Sequence, residues 1–224
     1  MSSSPALPPT VQVQYHPIPD RLAPYIETAE TRNFVGAVGL RWQVVPTGCA
    51  GFGVVVGDPA HDFELERSIF DSTLTGMMPR ALGTWCDVPC ISIGVTMTPR
   101  AMMLLPMQAI DFGFGIWAPG GDVFSRGSFT RLYKQVRDAP TLPAKMQALL
   151  QWLEQLLFDG SPAHGRQLAI GEVATLMRRF DAPSLADAAR RVGVSPRQFE
   201  RDFQRFLGAT PRRYAQAAKV QQMA

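Results

Sequence analysis

The sequence has few of the side chains on which most catalytic and metal-binding sites depend. Its 224 residues include three cysteines and three histidines. They are Cys49, Cys86 and Cys90, and His16, His61 and His164. Three cysteines are too few, and odd in number, for a disulfide framework. The histidines are scattered, and no Ser/His/Asp or Cys/His arrangement suits nucleophilic catalysis. We therefore expect no enzyme, no metal and no cofactor.

Long hydrophobic runs and N-terminal targeting patterns are also missing. No window approaches eighteen uncharged apolar residues, which argues against a membrane span. The N-terminal stretch MSSSPALPP has no basic region followed by an apolar run, so it is not typical of a secretory signal. Residues 1–10 are expected to form a disordered lead-in. We expect a cytoplasmic protein with no membrane partner.

Positive charge is concentrated near the C-terminus. Residues 184–224 contain eight Arg or Lys and three Asp or Glu, a net charge of +5, whereas residues 1–183 contain fourteen and sixteen, a net charge of −2. A small basic segment favours a polyanionic partner, of which nucleic acid is the commonest. A solvated helical face is the other interpretation of the same charges.

Two hydrophobic patterns meet near residue 120. Before it, short period-two runs alternate with Gly and Pro, as in a small β-sandwich or barrel. The expected strands are 34–46, 51–57, 62–70, 90–98 and 111–117. A short helix is expected over 99–110, interrupted at Pro106. After residue 120 a period of 3.6 predicts helices over 143–158 and 165–180. The predicted fold class is α+β, with a β-rich part followed by helices.

The basic segment itself contains the signals of three short helices. Ser184 is a good N-cap for the first, and Gly193 allows a sharp turn after it. Ser195 caps the second helix, with Pro196 at its first position and Gln198 completing a capping box. The expected buried side of this second helix is Phe199, Phe203 and Phe206, with Val194 just outside. Gly208 ends the helix, and Thr210-Pro211 begins the third.

Two helices joined by a Gly-containing turn, the second exposing Arg and Gln, fit a helix-turn-helix. Arg can pair with guanine and Gln with adenine in the major groove. The candidate base or groove contacts are Arg197, Gln198, Arg201, Gln204 and Arg205. The candidate phosphate contacts, which position the protein without reading sequence, are Ser195, Arg212, Arg213 and Lys219.

The stretch SLADAARRVGVSPRQFERDFQRFLGATPRRYAQ resembles the first helix-turn-helix of the AraC/XylS transcriptional regulators. The family pattern is a small-residue helix, a Gly turn, Ser-x-Arg-x-hydrophobic-x-Arg-x-Phe, then Gly-x-(Ser/Thr)-Pro and an aromatic residue. The matching positions are Gly193, Ser195, Arg197, Phe199, Arg201, Phe203, Gly208, Thr210, Pro211 and Tyr214. The resemblance implies a regulator that binds double-stranded DNA and forms a homodimer.

The first half resembles the β-rich, cupin-like sensor domain of such regulators, over residues 16–27, 44–58 and 93–112. Residues 132–157 resemble their helical connector. The implied domains are a lead-in over 1–10, a β-rich sensor or dimerisation domain over 11–120, a helical linker over 121–182 and an incomplete helix-turn-helix unit over 183–224. Cupin enzymes hold a metal through clustered histidines, which this sequence lacks, so a binding pocket or dimerisation platform is the expected role.

The sequence departs from the family at its end. Family members normally carry two helix-turn-helix units joined by a long helix, and this chain stops at Ala224, inside that helix. We expect weak DNA binding unless the chain dimerises, because each phosphate contact adds to affinity. The alternative function is a shortened regulator that binds effector or heterodimerises without tight DNA binding.

Two further groups of residues have two interpretations each. Methionine and aromatic residues lie close together in residues 77–117, as in a plain core or in an adaptable pocket for a small apolar or aromatic effector. The candidate pocket residues are Met97, Met103, Met107, Trp85, Phe112, Phe114 and Trp117, with Arg41 or Arg100 able to orient an acidic group. The three cysteines are either thiol sensors or small buried hydrophobes.

Overall fold

The computed structural model describes residues 11–34, 40–44, 49–57, 61–62, 67–68, 72–75, 82–86, 89–105, 117–119, 126–159, 165–179 and 181–221. Within these ranges the chain is α+β, which confirms the predicted class. The strands of these ranges lie before residue 120 and the helices, apart from one short helix, lie after it.

The strands of the described ranges form two antiparallel sheets. The strands are β1 (Gln12–Tyr15), β2 (Ile26–Asn33), β3 (Leu40–Val44), β4 (Ala50–Gly57), β5 (His61–Asp62), β6 (Arg67–Ser68), β7 (Ser72–Thr75), β8 (Leu82–Cys86), β9 (Cys90–Met97) and β10 (Trp117–Pro119). One sheet has the order β1-β2-β9-β4-β7-β10, and the other has the order β3-β8-β5-β6. A closed barrel or sandwich remains a prediction.

The long strands β2, β9 and β4 form the centre of the larger sheet, and their alternation creates one buried face. Phe52 is paired with Val95, and Val54 with Ile93. All four side chains are buried. Because side chains on a strand alternate between the two faces, these period-two positions cover the core together.

Seven helices are present in the described ranges. They are α1 (Pro99–Met102), α2 (Arg126–Asp138), α3 (Leu142–Phe158), α4 (Gly165–Met177), α5 (Leu185–Val192), α6 (Pro196–Leu207) and α7 (Pro211–Gln221). The helix over 143–158 is confirmed to within one residue, and that over 165–180 ends three residues earlier. The short helix at Pro99 ends at Met102, and residues 106–110 lie outside the described ranges. None of these helices combines the length and apolar character that crossing a bilayer requires.

Helices α2 and α3 form a hairpin that packs on the large sheet. The ring of Trp152 on α3 stacks on Phe52 of β4, with ring centroids 5.3 Å apart. The indole Nε1 of Trp152 donates to Ser128 Oγ on α2 at 2.9 Å. Lys145 closes the hairpin, since its Nζ donates to the carbonyls of Val136 and Arg137 at 2.7 and 2.8 Å, near the end of α2.

Helix α4 lies between α1 and the C-terminal helices. On one side it packs closely on α1, where a Cβ added to Gly171 would lie 2.7 Å from Met103 Cγ. Gln167 Nε2 donates to the Met103 carbonyl at 3.0 Å. On the other side α4 contacts α5, α6 and α7. The buried apolar residues form one continuous core from Leu22, before β2, to Tyr214 on α7.

Candidate nucleic-acid interface

Helix α5 and the turn after it are fixed by their caps. Ser184 Oγ accepts from the Asp187 N–H at 3.2 Å. Gly193 then adopts φ 76° and ψ 32°, a left-handed conformation that costs glycine little. The Gly193 N–H donates to the Arg190 carbonyl and the Val194 N–H donates to the Ala189 carbonyl, both at 3.1 Å. This pair of bonds is a Schellman motif, which turns the chain sharply into α6.

Helix α6 begins at the predicted cap. Ser195 Oγ accepts from the Gln198 N–H at 3.2 Å, and Pro196 occupies the first turn. The second half of the predicted capping box is not formed. The Gln198 side chain instead donates from Nε2 to Asp202 Oδ1 at 2.7 Å, and its Oε1 accepts from Arg201 Nη2 at 3.0 Å. Those side chains compete for Gln198 more strongly than a single backbone N–H, because both are charged.

The inner face of α6 is held by aromatic packing. Phe199 and Phe203 are fully buried, with ring centroids 5.4 Å apart, and Phe203 lies 5.4 Å from the ring of Tyr214 on α7. Phe206, expected to be buried, is only partly buried, and the Arg205 guanidinium lies 5.6 Å from its ring centroid. Leu207 takes the buried position at this end of the helix, four residues after Phe203 and on the same face.

The outer face of α6 carries the predicted base-contact residues. Arg197, Arg201, Gln204 and Arg205 are exposed, whereas Gln198 is half-buried. The arginines are four residues apart, so they follow one side of the helix with a slow rotation around it. The structure therefore brings all five candidates onto one short helix whose other side is anchored in the core.

The predicted phosphate-contact residues flank α6. Ser195 precedes it, and Arg212, Arg213 and Lys219 lie on α7; all four are exposed. Thr210 Oγ1 accepts from the Arg213 N–H at 3.3 Å, so α7 begins at the expected cap. Two arginines in the first turn of a helix are unfavourable for its macrodipole, and an anion at that end would offset them.

Asp202 is a feature that the sequence analysis did not identify. It lies on α6 at a core position, one residue before Phe203, and is 8% exposed. Its Oδ2 has no hydrogen-bond partner within the described part of the chain, and the nearest cation is Arg166 Nη1 on α4 at 3.7 Å. A charged residue three positions after Phe199, inside an otherwise apolar stripe, was the available sequence signal.

A polar cluster lies between β2 and the end of α4 and includes Tyr214 of α7. It consists of Glu27 on β2, Cys49 before β4, Arg178 after α4 and Tyr214 on α7. Arg178 Nη2 lies 3.0 Å from Glu27 Oε1, and Cys49 Sγ donates to Glu27 Oε2 at 3.0 Å. Tyr214 is fully buried, and its hydroxyl has no hydrogen-bond partner among the described residues.

Burial and charge shift the pKa values of this cluster. Burial alone would raise the pKa of Glu27, but hydrogen bonds from Arg178 and Cys49 and the Arg178 charge outweigh it, so this pKa is lowered from 4.5. Burial raises the pKa of Cys49 well above its usual range, with Glu27 adding to the effect against the Arg178 charge. Burial likewise raises the pKa of Tyr214. At neutral pH the cluster therefore holds one carboxylate, one guanidinium, one thiol and one phenol.

Replacing Glu27 by glutamine should make the protein less stable at pH 7 by about 1 kcal/mol, since the Glu27 side chain is 34% exposed and the ion pair is partly screened. Because the folded pKa of Glu27 is lowered, its contribution is present above pH 4.5 and is lost as the pH falls through the lowered pKa. Denaturant unfolding of both proteins from pH 7 to pH 3 tests this expectation.

The matched control is Glu172→Gln, which removes an exposed carboxylate 3.7 Å from Arg100 and should change stability little at any pH. A Glu27→Gln difference that persists unchanged at pH 3, or that equals the control at pH 7, would contradict the assignment.

The candidate effector residues lie partly within the described structure. Met97 and Met103 are each 1% exposed and belong to the continuous core. The other five lie outside the residues whose side chains are described: Met107, Phe112 and Phe114, with Trp85 on β8 and Trp117 on β10. Arg100 lies 3.7 Å from Glu172 and 5.2 Å from the Tyr25 ring centroid, and Arg41 is exposed. The pocket remains a prediction.

The cysteines that can be placed are buried. Cys49 is 4% exposed and Cys90 is 2% exposed, whereas the Cys86 side chain lies outside the described residues. Their burial, with the raised pKa of Cys49, favours the interpretation as small core residues, because reactive thiols are partly exposed and have lowered pKa values. No three His, Cys, Asp or Glu side chains of the described ranges come together as metal ligands.

The sequence matches no known family profile and no curated protein. Solved structures with a similar arrangement include wild-type ToxT from Vibrio cholerae bound to an unsaturated fatty acid, 8% identical, with 80% of this chain and 91% of ToxT covered and a TM-score of 0.27. Another is the AraC-like transcriptional activator CuxR, 13% identical, with 96% of this chain and 87% of CuxR covered and a TM-score of 0.27.

Proposed function

We propose that the chain is a sequence-specific, DNA-binding transcription regulator of AraC type that acts in the cytoplasm. Residues 183–224 would form its DNA-binding unit, with α5 and α6 as the helix-turn-helix and α6 as the recognition helix. The observation that carries the proposal is the structure of α6, whose inner face is anchored by fully buried Phe199 and Phe203 while its outer face exposes Arg197, Arg201 and Arg205.

The dimensions of α6 suit the major groove of DNA. Its twelve residues span about 18 Å at 1.5 Å per residue. The major groove is about 12 Å wide and admits one α-helix, where a guanidinium can pair with guanine O6 and N7. The left-handed Gly193 lies in a three-residue turn between α5 and α6, and a short turn of this kind is typical of a helix-turn-helix.

The phosphate contacts are proposed to come from Ser195 and from α7. The first turn of α7 carries Arg212 and Arg213, both exposed, at the positive end of the helix dipole, and such a helix start attracts a phosphate. Ser195 uses its oxygen to cap α6, which leaves its hydroxyl hydrogen able to donate. Lys219 would add a further contact from the same helix.

Residues 11–120 are proposed to sense a small apolar or aromatic effector and to support a homodimer. The continuous core from Leu22 to Tyr214 would connect this part to the DNA-binding helices. Because α4 packs on α1 on one side and on α5, α6 and α7 on the other, a change in the packing around Met103 would reach the DNA-binding helices through one rigid element.

Binding of the 224-residue chain to a library of random duplexes tests the function. We expect enrichment of one sequence family, with an affinity that falls linearly against salt on logarithmic axes. Failure to enrich any sequence would favour the alternative, an effector-binding or heterodimerising interaction protein.

Lys219→Ala should weaken binding equally for the selected duplex and for unrelated duplexes, and should reduce the slope of the salt dependence by about 1. The physical reason is that a phosphate contact releases a counterion and carries no sequence information. The measurement is a titration at several salt concentrations. Arg131→Ala, which removes the same charge from the exposed side of α2, is the control and should leave the slope unchanged. Equal salt slopes for the unmodified chain, Lys219→Ala and Arg131→Ala would mean that Lys219 does not contact a phosphate.

A further inference from the structure

The side chains of Asp202, Gln198 and Arg201 form a hydrogen-bonded ladder across α6. Asp202 is buried at the inner side, Gln198 is half-buried and Arg201 is exposed on the outer side. Asp202 Oδ1 accepts from Gln198 Nε2 at 2.7 Å, and Gln198 Oε1 accepts from Arg201 Nη2 at 3.0 Å. Since the three residues are three and four positions apart, the helix itself places them side by side.

The chemistry of the two neighbours fixes the orientation of the Gln198 amide. A carboxylate can only accept hydrogen bonds, so the amide nitrogen must face Asp202. A guanidinium can only donate, so the amide oxygen must face Arg201. Both requirements agree on one orientation. The pairing uses one of the five guanidinium N–H groups, which leaves the opposite edge of Arg201 able to form a two-pronged contact with a base.

The position of Asp202 indicates that this ladder is more than a stabilising contact. A buried carboxylate is costly unless its oxygens are all satisfied. Asp202 Oδ2 has no hydrogen-bond partner within the described part of the chain, and Arg166 Nη1 is 3.7 Å away on a side chain that is 58% exposed. An apolar residue between Phe199 and Phe203 would pack at lower cost. The carboxylate is therefore best explained by the hydrogen bond that it accepts from the Gln198 side chain.

We propose that Gln198 and Asp202 are positioning residues for Arg201, and that Gln198 reads no base of its own. This inference rests on the proposed function and replaces the sequence-based expectation that Gln198 contacts a base. The guanidinium of Arg201 is held at a fixed angle on the outer face of α6, ready to bind guanine. One base pair of the target should therefore depend on all three side chains.

The experiment compares base preferences on the selected duplex, with every base pair substituted in turn. Arg201→Ala should flatten the preference at one base pair by about 5- to 150-fold. Gln198→Ala should weaken the preference at the same base pair and at no other. In the Arg201→Ala background, Gln198→Ala should change nothing further, because the residue it positions is absent.

Two substitutions of Asp202 separate positioning from folding. Asp202→Asn keeps an oxygen that can accept from Gln198 and should retain the preference, whereas Asp202→Ala should weaken it as Gln198→Ala does. Thermal unfolding of each variant shows whether the helix remains folded. If Asp202→Ala unfolds, the base preferences of Gln198→Ala and Arg201→Ala still test the positioning role.

The outcomes distinguish this inference from the proposed function. If Gln198→Ala removes the preference at a separate base pair, or if the two substitutions act independently, Gln198 is a reader and only the positioning role is overturned. If the unmodified chain prefers no sequence, both the regulator function and the role of Gln198 are wrong.

Discussion

Replacing Phe203 by alanine should unfold the helix-turn-helix and abolish DNA binding. The Phe203 ring is fully buried between the rings of Phe199 and Tyr214, each with its centroid 5.4 Å away. Removing a buried phenyl ring loses its transfer free energy and leaves a cavity, at a cost of about 3–5 kcal/mol. Because Tyr214 belongs to α7, the aromatic contact between α6 and α7 is lost at the same time.

The measurement for Phe203→Ala is denaturant unfolding followed by circular dichroism, together with binding to the selected duplex. Phe206→Ala removes the same ring from the same helix at a half-buried position and is the matched control, with an expected loss of about 1 kcal/mol. Equal losses for the two variants would mean that the aromatic contacts between α6 and α7 do not hold the unit together.

Arg201→Ala should have the opposite profile, with no effect on folding and a large effect on recognition. Its side chain is exposed and, within the described part of the chain, donates a hydrogen bond to Gln198 on the same helix. Loss of a two-pronged contact with guanine should cost about 1–3 kcal/mol of discrimination between the selected duplex and one with that base pair changed. The measurement is a competition titration between those two duplexes.

Arg131→Ala serves again as the control, because it removes an exposed arginine from α2. It should leave the discrimination intact. If Arg201→Ala retained full discrimination while binding DNA, the recognition face of α6 would be misassigned.

The sequence predicted the C-terminal helices well because their signals are local. Ser184 and Ser195 cap the helices that follow them, and Gly193 and Gly208 adopt positive φ after the helices that they end. Each of these residues acts on a backbone a few positions away, so no knowledge of the rest of the fold is needed. The pairing of Phe199 and Phe203 follows from helical periodicity in the same way.

The strands were harder to predict because pairing partners, and not local pattern, create them. Strand β2, with the sequence IETAETRN, was not predicted, although it pairs with β1 on one side and β9 on the other. Its register shifts between Ile26 and Thr28, which breaks the period-two alternation on which the prediction relied. The short polar strand β1 is entirely exposed and exists only through its pairing with β2.

The candidate site shows the same division between local and tertiary information. The exposure of Arg197, Arg201 and Arg205 could be predicted from one helix. The half-buried position of Gln198 could not, since it depends on Asp202, which is buried between α6 and α4. Sequence reasoning assigned Gln198 to a base by its chemistry alone, and the structure shows which neighbours already use that chemistry.

The contact between the sheet and the end of α4 was also outside the reach of the sequence. Glu27 and Arg178 are 151 positions apart, and no local pattern connects them. Their ion pair joins β2 to the end of α4, and Cys49 hydrogen-bonds to the same carboxylate.

Methylation interference on the selected duplex tests the central claim most directly, because N7 of guanine lies in the major groove. We predict that methylation of one guanine blocks binding of the unmodified chain and no longer matters to Arg201→Ala, which has lost its contact with that base. If no guanine methylation interferes, or if Arg201→Ala stays as sensitive as the unmodified chain, α6 does not read the major groove through Arg201.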